Sequence, residues 1–87
     1  MALNKFKTLS GFIDEAIDYI EDGKRNKAQT HLAKIKQLSS NYAQCENSKT
    51  EKNKYKLIES LTEQINDSGR FRDLNKLKQI CKNYSQI

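Results

Sequence analysis

The sequence has no proline, no tryptophan and no valine, and only three glycines, two cysteines and one histidine. Each absence excludes something. Without proline, every residue keeps its backbone N–H and no ring forces a helix to break. Without valine, and with few threonines, the usual residues of pleated sheets are scarce, so a β fold is disfavoured. Nothing approaches the run of about 18 apolar residues that a membrane-spanning helix needs. The N-terminal stretch carries Lys5 and Lys7 but no apolar segment, so no secretory leader is expected and the reading is a cytoplasmic chain. In that setting Cys45 and Cys81 are expected as free, packed thiols rather than a disulfide. There is no Cys-x-x-Cys pair, and His31 is the lone histidine, so no metal centre is expected.

The motifs of chemistry are missing as well. No phosphate-binding glycine loop, dinucleotide fingerprint or His-Glu-x-x-His spacing occurs. Asp14-Glu15 and Glu21-Asp22 are adjacent acids, but neighbours along a helix do not face each other. No nucleophile stands beside a base. The expectation is a non-enzyme without a cofactor, and His31 is read as structural or as a phosphate contact.

Leucine and isoleucine dominate the apolar residues, and 87 residues fit a single domain, 1–87. Apolar residues recur at three- and four-residue steps, the helical period. Helix one runs from about Leu3 to Asp22. Phe6, Leu9, Phe12, Ile13, Ala16, Ile17 and Ile20 share one face, with Asp14, Glu15, Asp18, Glu21 and Asp22 opposite. Gly11 lowers helix stability by about 1 kcal/mol and marks a point where the first turns can separate. Gly23 stops the helix. The apolar stripe spans about 140°, more than one neighbour covers, so this helix is either central in the bundle or part of a homodimer interface.

Helix two runs from about Arg25 to Ala43, with Ala28, Leu32, Ile35, Leu38, Ser39 and Tyr42 inward. Gln44–Lys49 reads as a loop, and Ser48 or Thr50 as the cap of the next helix. Helix three runs from about Glu51 to Asp67, with Leu57, Ile58, Leu61 and Ile65 as its core and Tyr55 on the flank. Gly69 ends it. Helix four runs from about Phe71 to Tyr84, with Phe71, Leu74, Leu77, Ile80, Cys81 and Tyr84 inward. The predicted fold is all-α: a small four-helix bundle built from two hairpins, each a helix, a glycine turn and a helix.

The first hairpin partly resembles one tetratricopeptide-type repeat. Phe12, Ala16, Tyr19, Gly23, Ala28 and Leu32 occupy that pattern's aromatic, small, aromatic, turn, small and large apolar positions. Glu15 stands where leucine is usual, Ile35 replaces the second small residue, and Ser40 stands where proline ends a repeat. Real arrays need about three repeats. The similarity is read as convergence on tight antiparallel helix packing.

The charges are unevenly placed. Lysine and arginine total 16 against 11 acids, a net +5. Helix N-termini favour acids, yet Lys24, Arg25 and Lys27 open helix two. Lys49, Lys52, Lys54 and Lys56 open helix three, and Arg70 and Arg72 open helix four. Free N–H groups flanked by cations suit phosphate. The solvent face of helix four carries Arg72, Lys76, Gln79 and Asn83, with Lys78 and Lys82 beside them, and mixed cations and amides suit phosphate and base-edge contacts. Lys27, His31 and Lys34 run along one edge of helix two. Tyr42, Tyr55, Phe71 and Tyr84 are read as core, with stacking of Tyr55 or Tyr84 on single-stranded RNA the lesser role.

The predicted interface is therefore Lys24, Arg25, Lys27, Lys34, Lys52, Lys56, Arg70, Arg72, Lys76, Gln79, Lys82 and Asn83. The expected partner is RNA or another polyanion, bound stoichiometrically. The abundance of Lys, Asn and Ile points to an A/T-rich genome, such as a phage or a low-GC bacterium, and the small size and composition suit a phage-encoded regulator or an inhibitor of a host nuclease or toxin defence. The alternative is a protein-binding module (inhibitor, immunity or assembly factor) that uses the acidic or apolar width of helix one on a protein target. A membrane-surface role is disfavoured, because the most amphipathic helix is acidic on its polar side.

Overall fold

The structure is a computed structural model that describes residues 4–85; the predicted helix start at Leu3 lies outside them. Four α-helices occur in order: α1 (Lys5–Glu21), α2 (Arg25–Cys45), α3 (Lys49–Ser68) and α4 (Leu74–Ser85), with a 3-10 turn (Phe71–Asp73) before α4. The described residues contain no strand.

Local chemistry sets the ends of these helices. Asn4 caps α1: its side-chain oxygen accepts from the N–H groups of Phe6 and Lys7 at 3.1 and 3.2 Å. Gly11 does not separate the first turns, because buried Phe6, Leu9, Ser10 and Ile13 hold both sides of it against the bundle. At the other end, Gly23 has φ +75°. The Lys24 N–H donates to the Tyr19 carbonyl and the Gly23 N–H to that of Ile20, the paired closure that a left-handed residue permits. Gly69 is also left-handed, φ +72°, but closes α3 with a single backbone bond, its N–H to the Ile65 carbonyl, while the Arg70 N–H donates to Ser68 Oγ.

Two boundaries differ from the sequence expectation. The loop predicted over Gln44–Lys49 contracts to residues 46–48, because α2 continues to Cys45 and Ser48 caps α3 by accepting from the Glu51 N–H. The helix predicted from Phe71 begins as a tighter turn, closed by Phe71 N–H to Gly69 O and Asp73 N–H to Arg70 O, both 3.0 Å.

The helices run up and down. α1 packs against both α2 and α4, and α2 against α3, while α3 and α4 meet least closely. The wide apolar stripe of α1 is thus covered within one chain by two neighbours. Both glycine turns lie at one end of a body about 38 Å long. At the other end, Asn4 Nδ2 donates to the Ser85 carbonyl. One aromatic from each helix meets there. Phe6 stacks on Tyr55 at 4.6 Å and tilts against Tyr84 at 5.3 Å, and Tyr42 lies 5.5 Å from Tyr55. Burial, with Glu46 and Glu51 adding, pushes the Tyr55 hydroxyl pKa up to about 12.

The register of α3 corrects the predicted core. Tyr55 is 3% exposed and central, whereas Leu57, expected inside, is 42% exposed. The buried stripe is Tyr55, Ile58, Thr62 and Ile65, at steps of three, four and three. Leu57 lies well off that stripe, at 100° per residue, and Leu61 sits at its margin. Thr62 takes a core place despite its hydroxyl, which donates to the Ile58 carbonyl; Ser39 does the same to Ile35 in α2. In α4, Leu74, Leu77 and Cys81 are buried, while Ile80 and Tyr84 are only half-buried. Both thiols are free. Cys45, expected to be packed, is instead exposed at the end of α2, and burial pushes the Cys81 pKa up to about 12.

Candidate nucleic-acid interface

A cation already held by a carboxylate has less to offer a ligand, so the ion pairs sort the basic residues. Among the described residues, three of the sixteen pair with carboxylates: Lys36 with Glu63, Lys54 with Glu51, and Lys78 with Asp14. None of the ten cations predicted at the interface is in such a pair. Lys78 reaches from α4 onto the acidic side of α1. Its hydrogen bond to Asp14 and the charge of that carboxylate raise its pKa above the usual lysine range, with Asp18 and Glu21 adding. From the other side, His31 Nε2 lies 2.9 Å from Glu15 Oε2. Lys78 thus answers part of the acidic face of α1, whereas the buried His31 Nε2 makes no hydrogen bond among the described residues.

The glycine-turn end holds the most concentrated free charge. Arg25, Arg70 and Arg72 line one open cavity of about 800 Å³ with Ile20, Gly23, Gly69, Phe71 and Asp73. The two turns cause this convergence: Arg25 comes two residues after Gly23, and Arg70 and Arg72 come one and three after Gly69. Buried Phe71 anchors the second turn. The Arg25 guanidinium lies 5.0 Å from the Phe71 ring centroid, a cation–π contact that limits its wandering. Lys24 stands at the same turn and is exposed. No side chain caps α2 there, so its first N–H groups sit among Lys24, Arg25 and Lys27 with only solvent to bond.

A second, smaller concavity of about 300 Å³ lies along α2 and brings Lys27 and Lys34 together with His31, Tyr19, Asn26 and Thr30. The imidazole is buried, with Phe12 and Tyr19 edge-on to it at 5.4 and 5.7 Å. Along α4, Arg72, Lys76, Gln79, Lys82 and Asn83 are all exposed. Gln79 Nε2 donates to Asn83 Oδ1 at 3.0 Å, which orders the two amides side by side. Lys52 and Lys56 stand apart. They lie in the first turns of α3, and at 1.5 Å per residue Lys52 is about 25 Å from Gly69. The twelve predicted residues therefore form a cluster at the turn end, a stripe down α4, a pair on α2 and a pair at the far end of α3.

Sequence reasoning missed the meeting of the three arginines. The signal was present in their matched positions after the two glycines, since an up-and-down bundle brings its first and third turns to one end. Among the described residues, no group of three or more His, Cys, Asp or Glu is placed to hold a metal, and no helix is long and apolar enough to cross a membrane. Comparison with protein-family models, with curated proteins and with solved structures finds no match to this chain.

Proposed function

We propose that this chain is a small basic nucleic-acid-binding protein that prefers RNA and acts by stoichiometric occupancy. The supporting observation is the set of unpaired cations that gathers at the glycine-turn end and continues down α4 as Arg72, Lys76 and Lys82. Such cations release counterions from a phosphate backbone, which drives sequence-independent affinity. The ordered Gln79–Asn83 amides add hydrogen-bonding capacity toward exposed base edges, which single-stranded or irregular RNA presents. A regulator, or an inhibitor that blocks a host nuclease or toxin defence by occupancy, fits a chain of this size.

The competing reading is a protein-binding module. Leu57 is the one large apolar residue exposed among the described residues, which leaves little for a hydrophobic docking face, and Asp14 on α1 is already engaged by Lys78. Charge reversal separates the two readings. Lys76→Glu with Lys82→Glu is expected to abolish retention of RNA with the helical circular dichroism unchanged, while Asp18→Lys with Glu21→Lys leaves it intact or strengthens it. Retention that survives the first pair and fails with the second overturns the RNA reading in favour of an interface on α1.

A further inference from the structure

The cavity at the glycine-turn end differs in kind from the basic stripe on α4. The chain has thirteen lysines and three arginines, and all three arginines line this one cavity. Lysine offers a compact point charge, whereas the planar guanidinium fork gives paired, directed hydrogen bonds to phosphate or carboxylate oxygens. Arg70 and Arg72 come from one turn and Arg25 from the other, so the cavity gathers guanidinium forks from both. Among the described residues none of the three arginines pairs with a carboxylate, and the stack of Arg25 on Phe71 holds one fork ready.

Charge and shape narrow the ligand. Asp73 also lines the cavity, and Asp67 lines an adjoining concavity together with Arg70 and Asp73, so the three arginines outnumber the aspartates and the end stays net positive. A phosphomonoester carries about −1.5 to −2 near neutral pH, and an internal phosphodiester carries a single charge. A phosphomonoester also presents three acceptor oxygens against the two free oxygens of a diester, so it engages several guanidinium forks more fully. The cavity lies at the glycine-turn end of a body 38 Å long, where the end of a strand can seat. At about 800 Å³ it is far larger than one phosphate and lies within the range of small-ligand pockets. The sugar and base attached to that phosphate have room.

We infer that Arg25, Arg70 and Arg72 form a pocket for a terminal phosphomonoester, supplied by the phosphorylated end of an RNA strand. The inference rests on the RNA reading for its source of ligand, while the pocket chemistry stands without it, since a free mononucleotide carries the same group.

Calorimetric titration tests both levels. The ligands are oligouridines of about ten nucleotides bearing a 5′ phosphate, a 3′ phosphate or neither, together with uridine monophosphate. One phosphorylated strand is expected to bind about tenfold tighter than the unphosphorylated one, a 1.4 kcal/mol preference. Arg25→Gln and Arg70→Gln each bring that ratio toward one, whereas Lys76→Gln with Lys82→Gln weakens all strands and leaves the ratio unchanged. Equal binding of all three strands, with no binding of the mononucleotide, overturns the pocket and leaves the RNA reading standing. Mononucleotide binding that needs the arginines, with no strand bound, supports the pocket and removes the RNA reading. Binding of nothing removes both. Helical circular dichroism of each variant separates a lost site from a lost fold.

Discussion

Leu57 and Ile58 are adjacent in α3 and equal in size, yet the packing assigns them opposite roles. Ile58 is 0% exposed and Leu57 is 42% exposed. Ile58→Ala removes a side chain that its neighbours surround, leaves a cavity, and is expected to cost about 2–5 kcal/mol. Leu57→Ala opens onto solvent, so no cavity term arises. Full burial of a leucine side chain contributes about 1.5–3 kcal/mol. The part of Leu57 that is buried, less the methyl that alanine retains, therefore contributes about 1 kcal/mol. Small domains have about 5–15 kcal/mol in total, so the first change consumes a large share and the second does not. Urea titration with circular dichroism detection reads the difference. With an m of about 1 kcal/mol/M, the two midpoints separate by at least about 1 M, with Ile58→Ala the lower. Equal midpoints refute the α3 register and return Leu57 to the core.

The same packing has further consequences. Gly11→Ala lies in an exposed stretch of α1 where a Cβ meets nothing within 4 Å, so it should raise stability by about 0.5–1 kcal/mol through helix propensity. Gly69→Ala must hold a positive φ and should lower stability by about 1–2 kcal/mol, and a thermal melt of the two variants checks the opposite signs. Cys45 is exposed and should react at once with a disulfide reagent, whereas Cys81 should react only as the chain opens. Tyr55 and Cys81 have pKa values of about 12, above their ordinary values of 10.0 and 9.0. Their protonated forms therefore stabilise the fold at neutral pH. That stability declines from about pH 9 as the unfolded thiol ionises first, then further above pH 10, and is lost by pH 12. Alkaline unfolding by circular dichroism should show this onset, and Cys81→Ala should remove its lower part.

Much of the architecture was legible in the residue pattern. The period of 3.6 across Phe6–Ile20, Ala28–Leu38 and Leu74–Cys81 is strong because one face of each helix is continuously apolar. Gly23 and Gly69 mark turns that only a left-handed residue closes well. The α3 register was less legible, because Thr62 sits in the core by bonding its hydroxyl to its own helix, and a polar residue does not announce that. Without Thr62 the apolar residues Leu57, Ile58 and Leu61 shift the apparent face by part of a turn. Ser48, one of the two cap candidates, set the start of α3 through one side-chain oxygen, a choice the residue pattern left open. For the site, residue types were legible and their grouping was not. Arg25 is 45 residues from Arg70 in the chain, and only the up-and-down order of helices brings them to one cavity.

The central claim, that unpaired cations at the turn end and on α4 bind RNA through its phosphates, is tested most directly by the salt dependence of affinity. Fluorescence anisotropy of a labelled single strand between about 50 and 200 mM salt gives the slope of log affinity against log salt. Neutralisation of about five phosphates predicts a slope near −3.5 to −4.5, reduced by about one for each cation lost in Lys76→Gln or Lys82→Gln. A flat response to salt, or a slope that neither substitution changes, contradicts the account.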